Sequence, residues 1–163
     1  MALLHQRLAS FYVRRTTRVR AGGGGITGTP TTAGTFLERY RVRDSIGATV
    51  TKDLTINVNP PLMIVTTSLP NGQTCPGIPY LTSAGGRVTL SASGGTQRYT
   101  WSIVGDFPPA PGLSLSSGGA ITGTPAIQDT YSQTYTQTYR VQDSNGAAVT
   151  TTLDIVVRCP PLG

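Results

Sequence analysis

Charge is scarce in this 163-residue chain: only 12% of residues are Asp, Glu, Lys or Arg, and there is one histidine, His5. Acids number seven and stand singly along the chain, so no paired-carboxylate or metal-ligand motif is visible in the spacing. Two cysteines, Cys75 and Cys159, sit in neither a CxxC nor a His-rich cluster, which excludes a four-ligand zinc site. They form either one disulfide or two separate thiols. A bridge closing so long a loop would contribute roughly 4 kcal/mol in the chain-entropy description. No apolar run approaches the length of a membrane-spanning helix, and no window sustains a helical period. The glycine strings at Gly22–Gly25 and Gly94–Gly95 lack a following Lys-Ser/Thr and are not phosphate loops.

The net charge of +6 is local. Arg7, Arg14, Arg15, Arg18 and Arg20 fall in the first 20 positions, where there is no acid; the remainder carries eight bases against seven acids. A nearly neutral body presents no basic face to nucleic acid, and none is expected as a partner. Catalysis is not expected either, since a base, nucleophile or metal cluster has no visible source.

What is present is turn chemistry among short β-forming runs: 20 Gly and 12 Pro are interleaved with Val, Ile, Tyr and Thr. That pattern predicts an all-β chain. One block occurs twice. Ile121-Thr122-Gly123-Thr124-Pro125 and Tyr139-Arg140-Val141-Gln142-Asp143-Ser144-Asn145-Gly146-Ala147 repeat Ile26-Thr27-Gly28-Thr29-Pro30 and Tyr40-Arg41-Val42-Arg43-Asp44-Ser45-Ile46-Gly47-Ala48. Leu153, Ile155 and Val157 likewise repeat Leu54, Ile56 and Val58. The offset is 95 at the first string and 99 at the second. A recurrence of that length is one domain, not a solenoid period.

Residues 1–25 match nothing later and are expected to be an anomalous or disordered segment; they make a poor signal peptide, because His5 and Arg7 interrupt the apolar start. Residues 26–59 correspond to the C-terminal strands of the later copy, so a truncated repeat is expected there. Pro60-Pro61 is the expected linker, and residues 62–163 the complete domain. In the truncated copy Tyr40 and Val42 alternate with Arg39, Arg41 and Arg43, and Val50, Leu54, Ile56 and Val58 are expected to face a core together. In the complete copy about seven strands are expected. Leu62–Ser68 and Val88–Ser93 are two of them, Arg98–Val104 carries Trp101, and a closing hairpin spans Tyr135–Gln142 and Ala148–Arg158 across Asn145-Gly146, a dipeptide suited to positive φ. Trp101 is expected in the core, since Tyr99 and Ile103 share its face; the alternative is an exposed sugar-stacking platform.

Tyr99-Thr100-Trp101-Ser102-Ile103, Pro108-Pro109 leading to Gly112-Leu113-Ser114-Leu115, and the repeated strings above together resemble a bacterial Ig-like domain family grouped with the cadherin-like and dystroglycan-type cadherin-like sandwiches. The resemblance covers 62–158 and, for the second half alone, 26–58. It implies a Greek-key β-sandwich serving as a tandem spacer or adhesion module of an extracellular or cell-surface protein, with neighbouring Ig-like domains as partners. It also implies calcium as a cofactor, with Asp44 and Asp143 as the acids preceding a loop glycine. The chain departs from that pattern after the last strand, where Asn59-Pro60-Pro61 and Arg158-Cys159-Pro160 replace acidic ligands. The plain alternative for Asp143 is a turn residue bonding its own backbone. Surface glycans or proteins are the alternative partners, contacted by loops such as Gly105–Gly112 or Ile127–Tyr135; the latter carries Tyr131 and Tyr135 among Gln, Ser and Thr, and can equally be an extended hairpin.

Overall fold

A computed structural model describes residues 9–10, 20–22, 25–73, 78–82, 84–126 and 132–158. The chain forms two compact units, Met1–Pro60 and Pro61–Gly163, which divide between the two prolines. The described residues contain strands and turns and no helix, so the chain is all-β.

In the first unit β1 (Ala9–Ser10), β2 (Arg20–Gly22) and β3 (Gly25–Thr27) form one antiparallel sheet. β4 (Gly34–Arg43) and β5 (Thr49–Val58) form a ten-residue hairpin, in register from Gly34↔Val58 to Arg43↔Thr49. The strict alternation of its sequence puts Phe36, Glu38, Tyr40 and Val42 on one face with Val50, Lys52, Leu54, Ile56 and Val58. Arg39, Arg41 and Arg43 share the other face with Thr51 and Asp53, and Arg39 makes a two-pronged ion pair with Asp53 at 2.7 and 3.0 Å. The expectation that the apolar face lies in a core is corrected here. Val42, Val50 and Leu54 are exposed, while Phe36, Glu38, Tyr40, Ile56 and Val58 are half-buried.

The second unit is a β-sandwich. β6 (Met63–Ile64), β7 (Gly72–Gln73), β8 (Val88–Thr89), β9 (Ala92–Ser93), β10 (Thr100–Ile103), β11 (Leu113–Leu115), β12 (Ala120–Gly123), β13 (Ser132–Gln142) and β14 (Ala148–Arg158) build it. One sheet has the order β10-β13-β14-β7, with β7 parallel to β14 and the other neighbours antiparallel. Against it stand β11-β12-β8 and the short β6-β9 pair. Trp101, Tyr139, Val141, Leu153, Ile155 and Val157 face inward from the first sheet, and Val88, Leu90, Leu113 and Ile121 join them in one core. Each side chain so buried contributes on the order of 1.5–3 kcal/mol. The outward side of β13 and β14 is polar and paired across the strands, Thr136 donating to Asp154 at 2.6 Å and Thr138 bonding Thr152 at 3.0 Å.

Two expected strands differ in detail. Val88 to Ser93 alternates without a break, yet it changes partner: Val88 pairs with Ile121 and Ala92 with Ile64. The chain therefore crosses from one ladder to another at Leu90-Ser91. Leu62–Ser68 pairs only at Met63–Ile64 and is continued by Val65 donating to the Ser91 carbonyl at 2.8 Å.

Candidate functional site

The polar centre of the second unit is the turn that closes β13 and β14. Asp143 is its hub and the only buried charged residue among those described. Its Oδ1 accepts the backbone N–H groups of Asn145 and Ala147, both at 2.9 Å. Its own N–H donates to the Ala147 carbonyl at 2.9 Å, and Gly146 N–H returns to the Asp143 carbonyl at 3.1 Å. This is an Asx-type turn, in which a short carboxylate replaces the water that the bend would otherwise need.

The second carboxylate oxygen reaches outside the turn. Oδ2 accepts the Thr96 N–H at 2.8 Å, from the Gly94–Gln97 loop that precedes β10. Asn145 donates its side-chain N–H to the Thr96 hydroxyl at 2.8 Å, and Ser144 donates to the Gln97 carbonyl at 3.1 Å. Tyr99 closes the same loop by donating to the Gly94 carbonyl at 2.6 Å. Gly95 makes the approach possible: its φ is +57°, and a Cβ there would lie 2.6 Å from Asp143 Oδ2 and 3.1 Å from Leu62. The Thr96 N–H, followed by those of Ala147 and Asn145, holds the Asp143 carboxyl below the usual carboxylate range against the opposing effect of burial.

The first unit repeats the turn, and among the described residues nothing outside the turn bonds its carboxylate. Asp44 Oδ1 accepts from Ile46 at 3.1 Å and from Ala48 at 2.8 Å. Its N–H donates to the Ala48 carbonyl at 3.0 Å, and Gly47 returns to the Asp44 carbonyl at 3.3 Å. Both aspartates thus carry the turn role that their position before a glycine allowed. Calcium requires six to eight oxygens, whereas Asp143 is ringed by three N–H donors; the donor set does not fit the cation. Among the described residues no three His, Cys, Asp or Glu side chains converge on a common point.

The remaining expected site residues fall into three groups. Cys75, Cys159 and Tyr131 lie outside the described residues. Tyr135 is in β13, not in a loop, with its ring packed on the core and half-exposed. Trp101 is 5% exposed and belongs to the core, so it offers no stacking platform. In the loop between β10 and β11 the most exposed large apolar side chain is Phe107; Gln137 holds that loop by donating to the Pro108 carbonyl at 3.1 Å. Sequence reading places this loop but does not single out Phe107 as a contact; its signal was an aromatic flanked by Asp106 and Pro108 in a turn-rich stretch.

Compared with protein-family models and with curated proteins, the chain matches none.

Proposed function

We propose that the chain is a non-catalytic, Ig-like, cadherin-like module of a bacterial surface or secreted protein, acting as a tandem structural spacer or adhesion domain. One observation carries this reading. The block written twice in the sequence folds twice into the same four-bond aspartate turn, at Asp44 and at Asp143. Repetition of an architectural device, with the acid spent on its own backbone, is the mark of a building block strung in series. The scattered acids and single His5 agree with a chain whose polar groups serve shape.

A second reading, a carbohydrate- or protein-binding accessory module, is favoured by Phe107, 76% exposed on a loop braced by Gln137. Solvent-facing aromatics on braced loops are common contacts for sugars and proteins. A glycan array probed with the full chain separates the two. The spacer reading expects no glycan to retain the chain; retention that disappears in Phe107→Ala or Tyr135→Ala replaces it with the binding reading.

A further inference from the structure

The apolar face of the β4–β5 hairpin has an internal standard in the second unit. Shifted by 99 positions, Val42, Leu54, Ile56 and Val58 become Val141, Leu153, Ile155 and Val157. Val141 is 0% exposed and Leu153 6%, whereas Val42 is 68% exposed and Leu54 39%. What covers the second-unit residues is the apolar face of another β-sheet. Side-chain spacing is alike in both hairpins, so the occupant that fits the first is again an apolar sheet face laid about 10 Å above it.

We propose that this face docks on the same face of a second copy of the chain, in a two-fold, face-to-face contact. The charges on the hairpin select this arrangement. The apolar face carries one acid, Glu38, and one base, Lys52, diagonal to each other across the β4–β5 register. A two-fold axis sets Glu38 of one copy against Lys52 of the other, twice, so the face is complementary to itself. The opposite face carries Arg39, Arg41 and Arg43 against Asp53 alone, and two such faces repel. Two ten-residue strands present a footprint of roughly 300 Å² per copy, well below the about 800 Å² of a standard interface. The association is therefore weak and transient. It goes beyond the spacer reading and stands on the first unit's hairpin alone.

The test is sedimentation of the full chain from micromolar to millimolar concentration, for wild type, Glu38→Lys, Lys52→Glu and an equimolar mixture of the two variants. The wild type is expected to shift from monomer to dimer. Each variant alone sets like charges against each other twice and is expected to weaken association by tenfold or more. In the mixture the two introduced charges, opposite in sign, meet at one contact, and the native Glu38 and Lys52 left in the two variants meet at the other. A 1:1 dimer is expected to return. Thr51→Asp, on the Arg-bearing face, is expected to leave the dimer unchanged. A chain that stays monomeric at millimolar concentration overturns the proposal, whether the face stays bare or takes another occupant. So does a dimer that survives in either single variant, or a mixture that stays monomeric.

Discussion

Thr96 and Asp143 are 47 positions apart in sequence and 2.8 Å apart in space, with the threonine N–H donating to Oδ2 of the aspartate. That bond ties the loop before the tryptophan strand to the turn that closes the last hairpin. Among the described residues Asp44 has the turn bonds without such a link, so the two aspartates are not equivalent to mutation. Asp143→Ala is expected to lower the urea midpoint of the second unit, read from Trp101, the only tryptophan. Asp143→Asn is expected to lower it less, because the amide oxygen still serves Asn145 and Ala147 while Thr96 is left facing the NH₂ group. Asp44→Ala is expected to leave that midpoint in place.

Acid should reveal the same bond. The folded-state pKa of Asp143 is depressed below its ordinary 3.8, chiefly by the Thr96 N–H. Its stabilising contribution is therefore full above that value and is lost as pH falls through the folded value. Midpoints measured from pH 5 downward are expected to fall more steeply in wild type than in Asp143→Asn, with the difference developing below pH 3.8. Parallel curves for the two proteins would remove the carboxylate from the account.

Tyr139 is buried with its hydroxyl unpartnered among the described residues, whereas Tyr80 donates to the Pro70 carbonyl at 2.7 Å. Tyr139→Phe removes an unsatisfied polar atom without opening a cavity, and is expected to stabilise the second unit by about 1 kcal/mol at neutral pH. Burial also pushes the Tyr139 phenol from 10 up to about 12, and raises Tyr80 as well. A raised folded pKa means that stability is complete below pH 10 and drains away as pH climbs toward 12. The alkaline loss is expected to be shallower in Tyr139→Phe, measured by the same fluorescence midpoint.

Gly119 has φ of +88°, and a Cβ there would lie 2.8 Å from the Trp101 ring and 3.1 Å from the Leu90 carbonyl. Gly119→Ala combines an unfavourable backbone region with a clash against the largest core side chain, and is expected to cost about 2–4 kcal/mol. Trp101→Ala, which empties the site instead, is expected to cost about 3–5 kcal/mol. Calorimetric melting of the full chain checks both, since each affects only the transition of the second unit.

The closing hairpin was legible in the sequence because two local signals agreed: alternation from Tyr135 to Val141 and from Val149 to Val157, and the Asn145-Gly146 turn between them. The doubled block was legible as a string comparison. Partner exchange along Val88–Ser93 was not, because alternation reports which face a residue takes and not which strand lies beside it. Tyr80 stands in a Gly- and Pro-bearing connection with no strand alternation around it, yet it is 2% exposed; its hydroxyl donates to the Pro70 carbonyl, a partner that no local pattern reveals. Thr96 escaped for the same reason. Its role exists only once two distant turns have been brought together. In the first unit the pattern gave the face correctly and its burial wrongly, since alternation describes a side of a sheet whether or not anything covers it.

One sequence face is covered in the second unit but exposed at Val42, Val50 and Leu54 in the first, and methyl signals in the presence of a soluble paramagnetic agent test that difference most directly. In the Glu38→Lys chain, chosen to suppress self-association, the methyls of Val42 and Val50 are expected to broaden strongly while those of Val141, Ile155 and Val157 stay sharp. Equal broadening at Val42 and Val141, or equal protection, contradicts the account.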